Sequence, residues 1–444
     1  MRIVGIGLTL FALSSHAEAE QLSFPEVWKQ IDSASLSQES SRLQSQALGL
    51  ATERSTRHWE PRIYLDARMY QTSDPGPTFI GVLEQRSLKQ SDFDPDAINH
   101  PDANLFTRAA LGMDLPLYEG GIKSLQTELQ KHAERSQELA TSQIQLEQYA
   151  QSSLSFSSIG IIEQQLRKIA DLTTEMNRLR KQYELGDKSN PVGYSGLLGL
   201  KLLATKLEAL TLQYRAQSDA YYAMLKELGL KSTNWTPKIK TSVAFVEQYL
   251  GENRRQTDPE PSYHLQSIKE QGKISEGSAK MEEARFRPKV GAFAETYLFN
   301  GTRDTANGYT AGIYLQWNIY NPSDVGTTRE ASLKALAANK YAEATEQQER
   351  TERVAHIIAS KSYKENIALL TESYKLLLEQ SKVMETLFRN GSVNVLQLVE
   401  VLNRRSDLIA LQGEAELGLL KAASQSIVKE RFEIAKHLPA GTKD

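Results

Sequence analysis

The sequence predicts a mainly α-helical protein with a small transmembrane β part, built from two tandem helix-strand-strand-helix-helix repeats. Three features of the 444-residue chain lead to this class. Two long stretches almost lack glycine and proline, four short runs alternate apolar and polar residues, and both halves of the chain place these elements in the same order. We therefore expect long helical hairpins combined with four strands per chain.

The chain begins with a pattern typical of a secretory signal peptide. Arg2 precedes an apolar run, and Ala17 and Ala19 give the small-x-small pattern of a cleavage site. We predict a signal peptide over 1–19; the alternative is a short buried helix. The sequence has no cysteine, so disulfides are excluded, and its net charge of -3 offers no basic surface for nucleic acid. No other run approaches the roughly 18 apolar residues of a transmembrane helix.

Four runs have the two-residue period of β-strands. In "YTAGIYLQWNIYN" the apolar side chains fall at every second position from Tyr309 to Ile319. A tilted strand of about 9 to 11 residues is long enough to cross a bilayer. The strands are predicted at about 61–72, 105–118, 288–299 and 308–320.

Aromatic residues near the ends of these strands favour a membrane interface, where amphipathic rings are enriched. The alternative is a β-sandwich with an aromatic core. The predicted interface residues are Tyr118, Tyr297, Phe299, Tyr309, Trp317 and Tyr320.

Two very long helices follow the strand pairs. Between Gly326 and Gly391 lie 64 residues without glycine or proline, and apolar residues recur there every three or four positions. Such a helix is about 95 Å long and needs partner helices along its length. A similar stretch precedes Gly186. Each glycine ends its helix before a second helix returns, which predicts hairpins over 120–230 and 324–438.

The domain organisation follows from the repeat. We predict a first repeat over 20–230, a linker over 231–261, a second repeat over 262–438 and a C-terminal tail over 439–444.

Two segments depart from the repeat. The first strand pair has a longer loop, in which "DFDPD" is predicted to be solvated because Ala103 occupies the position where a calcium-binding loop needs glutamate. Pro191 and the glycines after Gly186 predict a looser first hairpin turn.

With these motifs in place, the chain resembles the outer-membrane efflux (TolC-like) proteins of Gram-negative bacteria. The resemblance rests on the duplicated architecture, on "LPLYEGG" running into a long helix, and on the turn "RNGSVNVLQLVEVLN". It implies a homotrimer in which each copy gives four strands to a 12-stranded barrel in the outer membrane, continued by a helical tunnel through the periplasm. The strand count alone leaves two or three copies open. A periplasmic adaptor and an inner-membrane transporter are implied as partners.

The resemblance also implies functional positions at the hairpin turns. Two acidic gate positions follow the glycine of the family's turn, and here they are Gln397 and Glu400, so half of the charge is missing. Glu400 faces a pore or, alternatively, pairs with Arg404 as a surface i,i+4 pair. The expected adaptor-docking residues are Gly186, Gly391, Ser392 and Val393.

These features predict a passive exit duct, and the resemblance implies that the duct belongs to a tripartite efflux or type I secretion system. The alternatives are a periplasmic coiled-coil scaffold or an adaptor protein without a membrane barrel. Scattered histidines, dispersed methionines and the absence of phosphate-binding glycine motifs argue against an enzyme, a metal site or a cofactor. The outer-membrane lipid is an expected partner; the transported substrate does not follow from the sequence.

Overall fold

The computed structural model describes residues 20–183, 191–251 and 260–438. The predicted signal peptide, Gly186, residues 252–259 of the predicted linker and the tail 439–444 lie outside the described residues. The described chain is mainly helical with a smaller sheet part, which confirms the predicted class at this level.

The strands are β1 (Glu20–Leu22), β2 (Arg62–Thr72), β3 (Asn104–Glu119), β4 (Trp235–Pro237), β5 (Lys289–Asn300) and β6 (Thr305–Gln316). The helices are α1 (Phe24–Ala34), α2 (Leu36–Thr56), α3 (Pro75–Glu84), α4 (Pro95–Asn99), α5 (Ile122–Tyr183), α6 (Pro191–Glu227), α7 (Ser242–Tyr249), α8 (Tyr263–Ala284), α9 (Thr327–Arg389) and α10 (Val395–Val428). Short 3₁₀ turns occupy Gln90–Phe93, Pro322–Asp324 and Ile434–Lys436.

The chain divides into two compact units that do not follow the sequence repeats. The helical unit consists of Met1–Ser41, Ala140–His264 and Glu346–Asp444, and the sheet unit consists of Arg42–Leu139 and Leu265–Thr345. Each unit therefore takes residues from both repeats, with boundaries inside α5 and α9.

The sheet unit contains an antiparallel sheet of four strands in the order β2-β3-β5-β6. The central pair β3–β5 joins the two halves of the chain, with Leu111 opposite Thr296, and the register shifts once between Pro116 and Tyr118. β6 begins three residues and ends four residues earlier than predicted. The earlier start follows because the short turn after Asn300 already closes the β5–β6 hairpin at Thr305.

Glycines at the exit of β3 allow the chain to turn sharply into α5. Gly120 and Gly121 have φ values of +69° and +87°, in the left-handed region that favours glycine. An added Cβ at Gly120 would lie 2.7 Å from the carbonyl oxygen of Ala284. The "YEGG" motif therefore has a steric reason at this position.

The helical unit has an aromatic core around Phe24. Its ring lies 5.3 Å from that of Tyr149, 5.6 Å from Phe156 and 5.4 Å from Phe245. Trp28 also packs edge-on against Tyr149, at 5.1 Å. Edge-to-face rings of this kind add to the free energy that burial of their area provides.

The predicted looser first turn falls mainly on residues 184–190, which lie outside the described residues, whereas the glycines after Pro191 are described. α6 already begins at Pro191, so the glycines after it are helical. Gly196 and Gly199 allow α6 to approach α10, because an added Cβ at Gly199 would lie 3.0 Å from Val399. The looser turn therefore stays a prediction, and the described residues show only that these later glycines belong to α6 and pack against α10.

The predicted linker and the predicted end of the last helix also differ from the structure. The segment after Lys231 contains β4, which pairs in parallel with β1, and α7. The last helix ends at Val428 rather than near residue 438. Phe432 beyond it is buried and stacks on His437 at 4.5 Å, so burial of this ring accompanies the end of the helix.

Candidate functional site

One face of the sheet is apolar and exposed. The alternation of side chains along each strand and the register of strand pairing place apolar side chains on this face in all four strands. Leu65 is 74% exposed and lies opposite Leu111. The exposed apolar side chains of this face are Ile63, Leu65, Met69, Leu105, Leu111, Met113, Leu298, Tyr309, Ile313 and Leu315. A continuous apolar surface of this kind marks a contact with lipid or another protein.

The other face of the sheet is polar. Arg108 forms an ion pair with Glu295, and its guanidinium lies 5.3 Å from the ring centre of Tyr297. The Tyr64 hydroxyl donates a hydrogen bond to Glu295 at 3.2 Å. Charged and aromatic groups therefore form a cross-strand network on this face.

Glycines on the polar face are covered by aromatic rings from the neighbouring strand. Tyr64 lies over its register partner Gly112, and Tyr297 lies over Gly308. Tyr314 over Gly291 and Phe293 over Gly312 repeat the arrangement. These pairs were not predictable from the sequence, because the match between a strand glycine and an aromatic residue becomes visible only when the register is known.

Two of the predicted interface aromatics need correction. Phe299 is 1% exposed and packs on Phe106 with ring centres 5.6 Å apart, so it is a core residue. Tyr309 is 85% exposed but lies inside β6, because that strand begins at Thr305.

The other predicted aromatics lie as follows. Tyr118 and Tyr320 are exposed, and the Trp317 indole donates a hydrogen bond to the carbonyl oxygen of Phe286 at 3.0 Å. Tyr297 is half-buried beneath Arg108.

Both outer strands of the sheet have an open edge. Within the described residues, β2 pairs only with β3 and β6 only with β5. The N–H and C=O groups on their outer sides have no strand partner in the described part of the chain, and such edges are templates for pairing with another chain.

The turn between α9 and α10 is closed by backbone and side-chain caps. Gly391 has φ +73°, and the Ser392 N–H bonds the Leu387 carbonyl at 2.9 Å, as in a glycine C-cap. Asn394 and Gln397 cap the start of α10 reciprocally, at 3.0 and 3.1 Å. The Gln397 side chain is thus engaged in capping.

Glu400 and Arg404 form an exposed ion pair on α10. Their N···O distance is 2.9 Å, and both side chains are about three-fifths exposed, at 59% and 61%. An exposed pair with i,i+4 spacing stabilises the helix by roughly 0.3–0.5 kcal/mol. The surface-pair geometry expected as one alternative is therefore present. Ser392 and Val393 lie in the turn that precedes α10.

The neighbouring Arg405 has an entirely different environment. Its side chain is 4% exposed, and its Nη1 lies 2.6 Å from Glu175 on α5 and 3.1 Å from the Ser381 hydroxyl on α9. A cavity of about 330 Å³ lies beside this network, lined in part by Asp171, Arg178 and Glu385. Arg405 therefore ties three helices together through buried polar contacts.

A second buried network lies about two to three turns further along α10. Lys168 contacts Gln412 at 2.9 Å, and Gln165 and Gln412 each donate a hydrogen bond to Glu416, at 3.0 and 3.3 Å. Burial raises the pKa of the Glu416 carboxyl, against the lowering effect of Lys168. Burial likewise lowers the pKa of the Lys168 ammonium.

The sequence contains a signal for both networks. Leu398, Leu402, Arg405, Ile409, Gln412 and Glu416 follow one another at spacings of four and three, so the polar members occupy positions of the apolar stripe. A polar residue at such a position fixes register and partner at a cost in stability.

We expect Glu416→Gln to change how the stability of the helical unit depends on pH. Because the folded-state pKa of Glu416 is raised, the folded chain retains a proton that the unfolded chain releases. Glu416 therefore lowers the free energy of unfolding progressively as the pH rises above 4.5, the ordinary pKa of a glutamate carboxyl. Urea midpoints across this range should fall more steeply with rising pH for the wild type than for the variant. Glu414→Gln, at an exposed position, is the control, and parallel profiles of wild type and Glu416→Gln would contradict the prediction.

The aspartates of the "DFDPD" motif have protein partners within the sheet unit. In the first loop, Asp92 pairs with Arg303 at 2.7 Å, and Asp94 caps α4 by accepting from the Asp96 N–H at 3.1 Å.

The described residues contain no cluster of three or more potential metal ligands. Among them, no helix combines the length and apolar composition needed to span a membrane.

Solved structures share this fold over nearly the whole chain. The outer-membrane channel CmeC of Campylobacter jejuni matches with a TM-score of 0.74 and 9% identity, covering 98% of this chain and 96% of that one. A membrane protein from Pseudomonas aeruginosa matches with a TM-score of 0.73 and 10% identity, covering 93% and 91%. CusC, whose structures describe folding and transmembrane channel formation, matches with a TM-score of 0.70 and 10% identity, covering 93% of this chain and 95% of that one.

Sequence comparison adds no further assignment. No family model matches the chain, and no curated protein matches it. The structural neighbours are TolC-like efflux channels of the outer membrane, so the predicted resemblance is confirmed at the level of the fold.

Proposed function

We propose that this chain, with the fold of TolC-like channels, is the outer-membrane component of an efflux or type I secretion system. Three copies would join their sheets edge to edge into one 12-stranded barrel, and their helices would form a tunnel through the periplasm. The protein performs no chemistry and provides a passive exit for substrates delivered by an inner-membrane transporter and a periplasmic adaptor.

The observation that carries this proposal is the division of the sheet into two faces. The face that includes Leu65 and Ile313 is apolar and exposed, whereas the face that includes Arg108 and Glu295 is charged. A closed cylinder places the first against lipid and the second around water, and closure removes the open edges of β2 and β6. A water-soluble scaffold or adaptor would leave the apolar face uncovered.

The helices offer matching surfaces for neighbouring copies. Large apolar side chains are exposed along α9 although a soluble helix would bury them: Leu333, Leu336, Val354, Ile358, Leu369, Leu376 and Val383. Such side chains fit the helix–helix contacts of a tunnel. The turn residues Gly391, Ser392 and Val393, together with Gly186, are the proposed contacts for the adaptor.

Conductance in a planar lipid bilayer tests this function. Detergent-purified protein is expected to produce discrete current steps after reconstitution. Protein that binds lipid but gives no current, or that remains soluble without detergent, would contradict the duct and favour the scaffold or adaptor.

The proposed gate can be tested at Glu400. If this carboxylate lines the closed mouth, Glu400→Gln should lower the preference of the channel for cations, and Arg404→Gln should raise it by releasing the carboxylate from its ion pair. Reversal potentials in a salt gradient measure this preference. Glu372→Gln, which removes a similarly exposed pair with Lys375, is the control. Equal reversal potentials for all four proteins would leave Glu400 as a surface residue and exclude it from the gate.

A further inference from the structure

The segment between β2 and β3 is a folded element rather than a solvated loop. It contains α3, the 3₁₀ turn Gln90–Phe93 and α4. α3 lies against the ring of Phe106, since an added Cβ at Gly81 would be 2.5 Å from that ring. Phe106 and Phe299 are thereby fully buried. The loop thus has a small apolar core of its own with the ends of β3 and β5.

The folded loop lies on the polar face of the sheet. Phe106 and Arg108 are two residues apart on β3, so they point to the same side, and Phe299 and Glu295 share that side on β5. The apolar face carries none of these contacts. In a cylinder with its polar face inward, the loop would therefore extend over the lumen and not outward into the surroundings.

Polar contacts of three loop residues fix the loop to the turn between β5 and β6 and to the start of β6. The buried Gln85 accepts hydrogen bonds from the backbone N–H groups of Arg303 and Asp304, at 3.0 and 2.9 Å. The Arg303 guanidinium binds both carboxylate oxygens of Asp92, at 2.7 and 2.9 Å. Arg86 donates to the carbonyl oxygen of Asn307 at 2.8 Å. Bidentate pairs of this type give a defined geometry as well as attraction.

The surface of the folded loop is unusually apolar for a segment without a covering partner. Ile80, Leu83 and Phe93 are each exposed by half or more. The other end of the sheet leads into α5 and out of α8, so the loop lies at the end away from the long helices.

We propose that segment 73–103 is a lid over the external mouth of the duct, with Ile80, Leu83 and Phe93 packed against the lids of the two neighbouring copies. This inference rests on the proposed function, because only a ring of copies brings the lids together. The occupant of the apolar surface is thus a second copy of the same chain. Opening requires the apolar contacts between lids, and the Asp92–Arg303 pair within each copy, to separate.

Disulfide cross-linking tests the contact between lids. The chain has no cysteine, so Ile80→Cys introduces a single thiol. Oxidation of the variant in outer membranes should yield a covalent dimer. Gln71→Cys is the matched control, because Gln71 is exposed near the same end of the sheet but on the apolar face, and it should remain monomeric under denaturing conditions.

Conductance tests the closure. Replacement of residues 75–99 by a flexible linker should raise the single-channel conductance. Arg303→Gln, which keeps the lid but removes its ion pair, should lengthen the open periods. Lys340→Gln, at an exposed pair on α9, is the control and should change neither.

The outcomes separate this inference from the proposed function. Wild-type trimers that conduct, with lid variants that neither cross-link nor alter the current, would overturn the lid and leave the duct standing. Wild-type protein that forms no conducting trimer would contradict the proposed function itself.

Discussion

Replacing Leu65 by arginine is expected to prevent stable assembly in the outer membrane. Leu65 is exposed on the apolar face and is paired with Leu111, near the middle of β3. An arginine on the lipid-facing side near the bilayer midplane costs about 2–4 kcal/mol, and a trimer would carry three of them. The amount of heat-resistant oligomer in isolated outer membranes, compared with the wild type, measures the effect.

The matched control for this variant is Thr310→Arg. Thr310 lies opposite Glu295 on the polar face, one residue from the level of Leu65 in the sheet. An arginine there would face water and a carboxylate, so oligomer should be retained. If both variants lost the heat-resistant oligomer equally, the sheet would not have distinct lipid-facing and water-facing sides. The same conclusion would follow if both variants retained it equally.

Replacing Arg405 by methionine is expected to destabilise the helical unit strongly. The change removes the partner of Glu175 and leaves that carboxylate, which is 21% exposed, without its ion pair. Breaking a buried pair by removing one partner costs about 3–5 kcal/mol, and the lower end applies here because Glu175 retains some contact with water. The urea midpoint of the helical circular dichroism, in detergent, reports the loss.

Adjacent Arg404 provides the control for this variant. Arg404→Met removes only an exposed i,i+4 pair and should shift the midpoint slightly. The double variant Arg405→Met/Glu175→Met should recover much of the lost stability, because neither charge then remains unpaired. Similar midpoints for Arg404→Met and Arg405→Met would show that the buried network does not stabilise the fold.

The helices were predictable because their signals are local. The scarcity of glycine and proline in α5 and α9 and the recurring apolar residues suffice to indicate long helices. Alternation indicated the strands for the same reason. The start of β6 was misplaced, since it depends on a short hairpin turn whose geometry alternation does not describe.

Features that depend on contacts distant in sequence were not predictable in this way. Phe299 looked like an interface aromatic, yet it is buried because a loop about 200 residues earlier folds over it through Phe106. Gly196 and Gly199 looked like turn residues, but they serve close packing between α6 and α10. Arg405 was passed over although its spacing from Leu402 and Ile409 marks it as part of the buried stripe.

The mass of the assembly tests the central claim most directly. Protein extracted from outer membranes in detergent would be measured by light scattering with correction for bound detergent. The proposed barrel predicts a mass of three protein chains, because three four-stranded sheets would close twelve strands. A monomer released from the membrane by salt alone would contradict the barrel and, with it, the exit duct.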